Sequence, residues 1–342
     1  MKPEGKICTM LTVGTFHYVL LDETGSIWAC GRNEYGQLGL SEKRVYSDLT
    51  KIESLPPIVS AFANFTSSYF IDINGSVWWC GDGVFEVQQL NNLPPIQQIF
   101  LFSKFVFFLD IQGSLWVTKN WHNNSAEKCP TDVMPLDINV RAKCVVINST
   151  FRLILDENGI LWELIGTSEV RMMDNLPKIK TTSIISGHTV LLDVDGNVWS
   201  AGANSSGQCG HGTREHFVEK FTKIQNLPKI QEVKTGVYHT VLLDVEGCIW
   251  GFGYNATGEL GTGTKKKQLI PRKRENLPRM CSILCSGYAT LAIDEEGTIW
   301  GTGCLIVCSG KVIFEPVPNF AGITMGRKMR NTKSSRNSNA AC

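Results

Sequence analysis

The chain has 342 residues, 43% of them hydrophobic and 19% charged, and a formal net charge of +1. This composition is globular and excludes a disordered chain. The near-neutral balance excludes a protein-wide field for nucleic acid and leaves only local patches. The length admits two ordinary domains or one large repeat domain.

At the N-terminus, MKPEGKICTMLTVG has no long apolar core followed by small residues, so no signal peptide is read there. The longest apolar stretches, such as residues 105–109, are far too short to span a bilayer. The 12 cysteines are therefore read as reduced thiols in the cytoplasm or nucleus. The Asn-x-Ser/Thr triplets beginning at Asn148, Asn204 and Asn255 then carry no glycosylation meaning.

From residue 22 onward one unit recurs, Asp-x-x-Gly-x-x-Trp, seven times without a gap. Its members are Asp22, Gly25 and Trp28; Asp72, Gly75 and Trp78; Asp110, Gly113 and Trp116; and Asp156, Gly159 and Trp162. Asp193, Gly196 and Trp199, then Asp244, Gly247 and Trp250, and finally Asp294, Gly297 and Trp300 complete the series. An aliphatic residue precedes every Asp and every Trp, so seven of nine tryptophans occupy one structural position.

The unit reads as a β-hairpin. Runs such as HTVLLD have the content of a buried strand, Asp caps the turn through its carboxylate, and Gly supplies positive φ. A Leu-Pro landmark fixes the unit's length: Pro56, Pro94, Pro177, Pro228 and Pro278 each stand 22 residues before the next hairpin Trp. Proline cannot donate to a central ladder, so it marks the entry into a strand. Successive tryptophans lie 50, 38, 46, 37, 51 and 50 residues apart, the period of a four-stranded propeller blade.

Repeats one, five and six add a third element: CGRNEYGQLG (30–39), AGANSSGQCG (201–210) and FGYNATGELG (252–261). A unit reading HTVLLD-x-x-Gly-x-aliphatic-Trp and then Gly-x-Asn-x-x-Gly-Gln-Leu-Gly resembles the regulator of chromosome condensation repeat. The resemblance covers roughly residues 7–325. It implies an all-β, seven-bladed propeller, with residues 1–325 as one domain and 326–342 as a basic, disordered tail.

After Trp78, Trp162 and Trp300 the connections are short, and the Gly-Gln-Leu-Gly loop is missing. The hairpin around the axis is thus kept everywhere, and outer strands and loops are expected to be elaborated on blades one, five and six. That arc is the first place to look for a partner. The chain starts with strand-like ICTMLTVG and ends with VPNFAGITMG, so pairing of the N- and C-terminal segments is expected to complete one blade and remove exposed edges.

Candidate chemistry is sparse. His17, His188 and His239 each stand five residues before a hairpin Asp and read as a blade-internal hydrogen-bonding position rather than a metal or catalytic ring. Cys281 and Cys285, and Cys304 and Cys308, have the wrong spacing for zinc and read as small hydrophobes. Each hairpin Asp is accounted for by its own turn. The chain has no phosphate-binding loop motif, nucleophile elbow or zincin motif. No cofactor, metal or catalytic residue is assigned.

The strongest patch is basic: Lys265, Lys266, Lys267, Arg272, Lys273 and Arg274 fall within ten residues. The tail adds Arg327, Lys328, Arg330, Lys333 and Arg336, and its final Cys342 is not a prenylation box. These cations suit contact with an acidic protein surface, nucleic acid or chromatin, or nuclear import; they also suit a solvated loop and a solubilising tail.

The expectation is a monomeric, non-catalytic interaction scaffold or regulator in the cytoplasm or nucleus, binding a protein partner and no membrane. The resemblance also implies an alternative, nucleotide exchange on a Ran-like small GTPase with chromatin docking. In that family exchange depends on a protruding hairpin wedge and on acidic and polar residues across one face. Blades two to four here are shortened or irregular, and MKPEGK replaces the long basic N-terminal tail.

Overall fold

The computed structural model describes residues 7–102, 105–118, 133–147, 151–165, 169–213, 215–305, 308–317 and 324–325. Seven antiparallel sheets follow one another along the chain, at residues 7–51, 58–90, 96–135, 142–172, 179–223, 230–273 and 280–316. Each has four consecutive strands in chain order, and no helix occurs among the described residues. The fold is the expected seven-bladed β-propeller.

Second strands such as His17–Asp22, His188–Asp193 and His239–Asp244 are buried at every residue because blades press on both of their faces. That explains why HYVLLD and HTVLLD run continuously apolar instead of alternating. The turn that follows is built as the sequence predicts. The backbone N–H groups of Thr24 and Ser26 donate to Asp22 Oδ1 at 2.9 and 3.0 Å. Gly25 adopts φ 81°, which an L side chain resists.

The Trp is the carboxylate's other partner, a bond the hairpin reading does not anticipate. Trp28 Nε1 donates to Asp22 Oδ2 at 2.9 Å, and the same bond recurs in all seven blades at 2.8–3.1 Å. Opposite each Asp the innermost strand carries a β-bulge. The Asn-Leu-Pro connections place Asn92, Asn175, Asn226 and Asn276 at positive φ, so Asn takes the left-handed turn and Pro enters the next blade.

Buried clusters fill each seam between neighbouring blades. The last seam joins Leu20 and Trp28 of blade one to Leu291 and Ile299 of blade seven, closing the ring by packing.

Four expectations are corrected. The hairpin is not axial: the strand before it lines the axis, and the hairpin forms the blade's middle. The N- and C-terminal segments pair, but the C-terminal one is not among the four strands of a blade. Blade one is complete from the N-terminal segment alone, and Thr324–Met325 adds a fifth strand, parallel to Ile7–Val13. Every blade also has a fourth strand, so only the loops before it are elaborated. Finally, eight described cysteines are free thiols, but Cys144 is disulfide-bonded to a partner outside the described side chains. The basic tail, 326–342, lies outside the described residues.

Candidate interaction face

Antiparallel order places the connections between first and second strands, and between third and fourth strands, on one face of the ring. The Asp-x-x-Gly turns and Leu-Pro connections lie on the other. All three elaborated loops therefore share the first face, here the loop face.

Within each loop one buried Asn organises the backbone. Asn33 Oδ1 accepts from the Leu38 N–H at 2.9 Å, while its Nδ2 donates to the carbonyls of Leu40 and Glu42. Asn255 does the same for Leu260, Thr264 and Lys266. Asn204 accepts from the Cys209 N–H. Two of the Asn-x-Ser/Thr triplets thus begin with an internal loop brace. Gln37, Gln208 and Glu259 add a second brace by accepting the N–H two residues before them.

The three histidines connect these loops to the neighbouring blade, which corrects their blade-internal reading. His17 Nε2 lies 2.8 Å from Ser68 Oγ, His188 Nε2 3.0 Å from Thr240 Oγ1, and His239 Nε2 3.1 Å from Thr290 Oγ1. Each hydroxyl donates in turn to a loop carbonyl of the histidine's own blade, that of Gln37, Gln208 or Glu259. The hydroxyl's single hydrogen is thereby used, so the imidazole Nε2 carries the hydrogen it donates.

Burial holds His17 and His239 down to about 3 and His188 to about 4, leaving all three neutral. A glycine makes room: a Cβ on Gly236 would sit 2.0 Å from the His239 ring. A neutral ring between blades couples seams and holds loops.

Side chains beyond this frame differ from blade to blade. In blade one the Arg32 guanidinium stacks over Phe16 at 4.7 Å, and Phe16 packs edge-on against Phe65 at 5.2 Å. Tyr35 and Phe65 are exposed. In blades six and seven Tyr238, Tyr254 and Tyr288 form a triangle with centroids 6.1–6.2 Å apart. Inside these rims lies an axial cavity of about 410 Å³, lined by first-strand residues including Thr12, Phe62, Phe100, Val145, Ile184 and Lys234. Lys234 is buried there, 3.8 Å from Glu232.

The basic run does not form one patch. Lys265, Lys266 and Lys267 are exposed on the loop face. Arg272 and Lys273 are exposed at the far end of the outer strand Gln268–Lys273, roughly 15–20 Å away at strand rise. Arg274 turns inward, 8% exposed, and donates to the carbonyls of Gly251 and Arg272. Its cation belongs to the packing of blade six.

The 21 hairpin residues all lie in the turns or at the strand ends beside them, away from the loop face. Their tryptophans are less uniform than expected: Trp28 is buried at 5% exposure, whereas the other six are half-buried. Cys281 donates to the Asp294 carbonyl and Cys285 is buried beside Thr290. No group of three or more His, Cys, Asp or Glu side chains placed to hold a metal ion occurs among the described residues.

The family model "Regulator of chromosome condensation (RCC1) repeat" matches residues 195–243 and 246–293, and a second model of that repeat matches 11–37. Each stretch takes in all or most of one elaborated loop. The Xenopus laevis protein RCC2 homolog is 30% identical over 126 residues, 30% of this chain and 25% of that protein. The matched stretch thus spans about a quarter of that relative's length. Prp20p of Saccharomyces cerevisiae, whose structure was described with its binding to Gsp1p and histones, is similar at 19% identity and TM-score 0.71. The similarity covers 86% of this chain and 82% of Prp20p. Human WBSCR16 is similar at 15% identity and TM-score 0.68, over 82% of this chain and 85% of its own.

Proposed function

The chain is a regulator of chromosome condensation repeat protein, and on that premise we propose that it is a non-catalytic interaction scaffold or regulator binding a protein partner through its loop face. One observation carries the reading. The elaborated loops are locked by buried Asn braces and His–hydroxyl–carbonyl bonds, and large aromatic side chains face outward on them and on the first-to-second-strand connections beside them. Tyr35, Phe65, Tyr238 and Tyr288 are 38–52% exposed. Aromatic residues on rigid supports lose little entropy on binding and dominate interface energetics. The test is quantitative affinity capture with a loop-face variant, Tyr35→Ser with Phe65→Ser, beside a turn-face variant, Ile73→Ser with Ile111→Ser. Loss of captured protein only with the loop-face variant supports the reading, and loss only with the turn-face variant overturns it.

The second reading is guanine-nucleotide exchange on a Ran-like small GTPase, with chromatin as a further partner. It is favoured by the ring shared with Prp20p, a protein described as binding Gsp1p and histones. The irregular insertion of repeat three, residues 119–132, lies outside the described residues, so no exchange wedge is assigned there. Fluorescent-nucleotide release from Ran and a panel of other GTPases is expected to show no acceleration. Clear acceleration would replace the scaffold with an exchange factor.

A further inference from the structure

The three elaborated loops share one skeleton, and two of the positions at which they differ are the residue before the relay histidine and the residue before the loop asparagine. In blade one these are Phe16 and Arg32, in blade five Gly187 and Ala203, and in blade six Tyr238 and Tyr254. Blade five keeps its His188 bond and Asn204 brace with no side chain larger than a methyl at either position. Aromatic residues there are thus not needed to fold the loop. In blade one the protein supplies its own cation to the aromatic face, since Arg32 stacks over Phe16. In blade six the equivalent of Arg32 is Tyr254, and blade seven adds Tyr288.

The three tyrosine rings stand mutually 6.1–6.2 Å apart at interplanar angles of 48–65°. A cation seated over the middle of this triangle lies within ~6 Å of all three ring centroids at once. Tyr238 and Tyr288 are 39% and 38% exposed, so the site opens to solvent. Beneath it Glu259, fully buried, replaces the amides Gln37 and Gln208 of the other two loops. Its Oε2 accepts from the Thr257 N–H, and its Oε1 has no partner among the described residues. This carboxylate adds negative potential under rings whose faces are already negative. The Tyr288 phenol is accordingly raised, by burial first and then by Tyr238, Tyr254 and Glu259.

We propose that Tyr238, Tyr254 and Tyr288 form a receptor for a methylated ammonium group carried on a partner's lysine side chain. A bare ammonium is strongly hydrated and gives up water reluctantly, whereas methylation spreads its charge over a weakly hydrated, globular group that meets three rings together. A guanidinium is flat and satisfies one ring, as Arg32 does on Phe16. The proposal rests on the loop face being the binding face and names one chemical group that it takes.

The test is a titration of the full chain, with tyrosine side chains isotope-labelled, monitored by NMR. The probes are a short peptide bearing one trimethyl-lysine, its unmodified and arginine twins, and tetramethylammonium chloride. The expected result is saturable shifts of the three tyrosines, with the trimethyl-lysine peptide at least about tenfold tighter than either twin. Tetramethylammonium is expected to move the same resonances. Tyr254→Arg writes the blade-one cation into the site and is expected to abolish binding. Tyr254→Ala, a second variant checked for an unchanged unfolding transition, is expected to weaken it about tenfold or more. Equal affinity for the three peptides, or wild-type affinity in a folded Tyr254→Arg protein, overturns the proposal. The probes require no natural partner, so their failure alongside intact affinity capture removes this receptor and leaves the scaffold reading standing.

Discussion

His239 of blade six donates its Nε2 hydrogen to the hydroxyl of Thr290 in blade seven, 3.1 Å away, and Thr290 passes its own hydrogen back to the Glu259 carbonyl of blade six. One hydroxyl therefore ties a seam and a loop together. Thr290→Val keeps the side chain's shape but leaves both a buried N–H and a buried carbonyl without that partner. Its expected cost is roughly 2–4 kcal/mol of unfolding free energy. Thr290→Ser is expected to cost under about 1 kcal/mol, since it removes a methyl and keeps the hydroxyl that Ser68 supplies at the same place in blade two. Urea unfolding of the two variants checks the difference. Similar losses in both would assign the role to packing.

The same histidines give the ring a pH dependence that starts above the carboxylate range. Unfolded histidine takes up a proton near pH 6.5, whereas the folded side chains stay neutral to about 3 or 4. Below about pH 6.5 the unfolded chain therefore binds more protons, so stability is full above that pH and declines as pH falls toward 4. The limiting slope is about 1.4 kcal/mol per pH unit for each histidine. Asp22 adds a later loss in the same direction. Hydrogen bonds from Thr24, Trp28 and Ser26 outweigh its burial and hold it at about 2. Unfolding midpoints at pH 8, 6, 5 and 4 are expected to stay level and then drop from the first acidic step. A midpoint unchanged down to pH 5 would mean that the rings are protonated or exposed.

The half-burial of six hairpin tryptophans separates two contributions that the repeat hides. Trp28→Ala removes a fully packed aromatic and is expected to cost about 3–5 kcal/mol. Trp162→Ala removes a half-buried ring and is expected to cost less, about 2–3 kcal/mol. Substitution by Phe at either site keeps most of the packing and leaves Asp22 or Asp156 without its indole donor, an expected loss of about 1–2 kcal/mol. Thermal unfolding of the four variants checks this order.

What the sequence reveals and conceals follows the range of each interaction. The Asp–turn–Trp unit closes within six residues, so its spacing is fixed by local geometry and could be counted. The histidine bonds join residues 51 or 52 apart, and no local pattern requires them. A signal was nevertheless present: His17, His188 and His239 occur in the same three repeats as the Gly-Gln-Leu-Gly loop. A hydroxyl residue follows one position after the matching site in the next blade, at Ser68, Thr240 and Thr290. The tyrosine triangle was hidden because Tyr238 and Tyr254 come from one blade and Tyr288 from the next. The direction of Arg274 was hidden because it is set by where the outer strand ends.

That direction yields an expectation that a single basic patch would not. Lys265–Lys267 on the loop face and Arg272 with Lys273 at the other end of the strand are separate surfaces, and Arg274 belongs to neither. Replacing Lys265, Lys266 and Lys267 by Gln is expected to weaken partner capture in a salt-sensitive way, the loss being larger at 50 than at about 300 mM salt because exposed charges are screened over roughly 10 Å. Replacing Arg272 and Lys273 by Gln is expected to leave capture unchanged. Arg274→Gln is expected to behave differently from both. Burial, with Arg272 beside it, lowers its guanidinium to about 10, which leaves it charged at neutral pH. Its carbonyl contacts in blade six are lost on substitution, so stability falls by about 1–3 kcal/mol while a folded protein still binds. Equal binding loss from the two exposed sets would join the run into one surface wrapping the blade edge, and would place the partner on the rim rather than on the loop face.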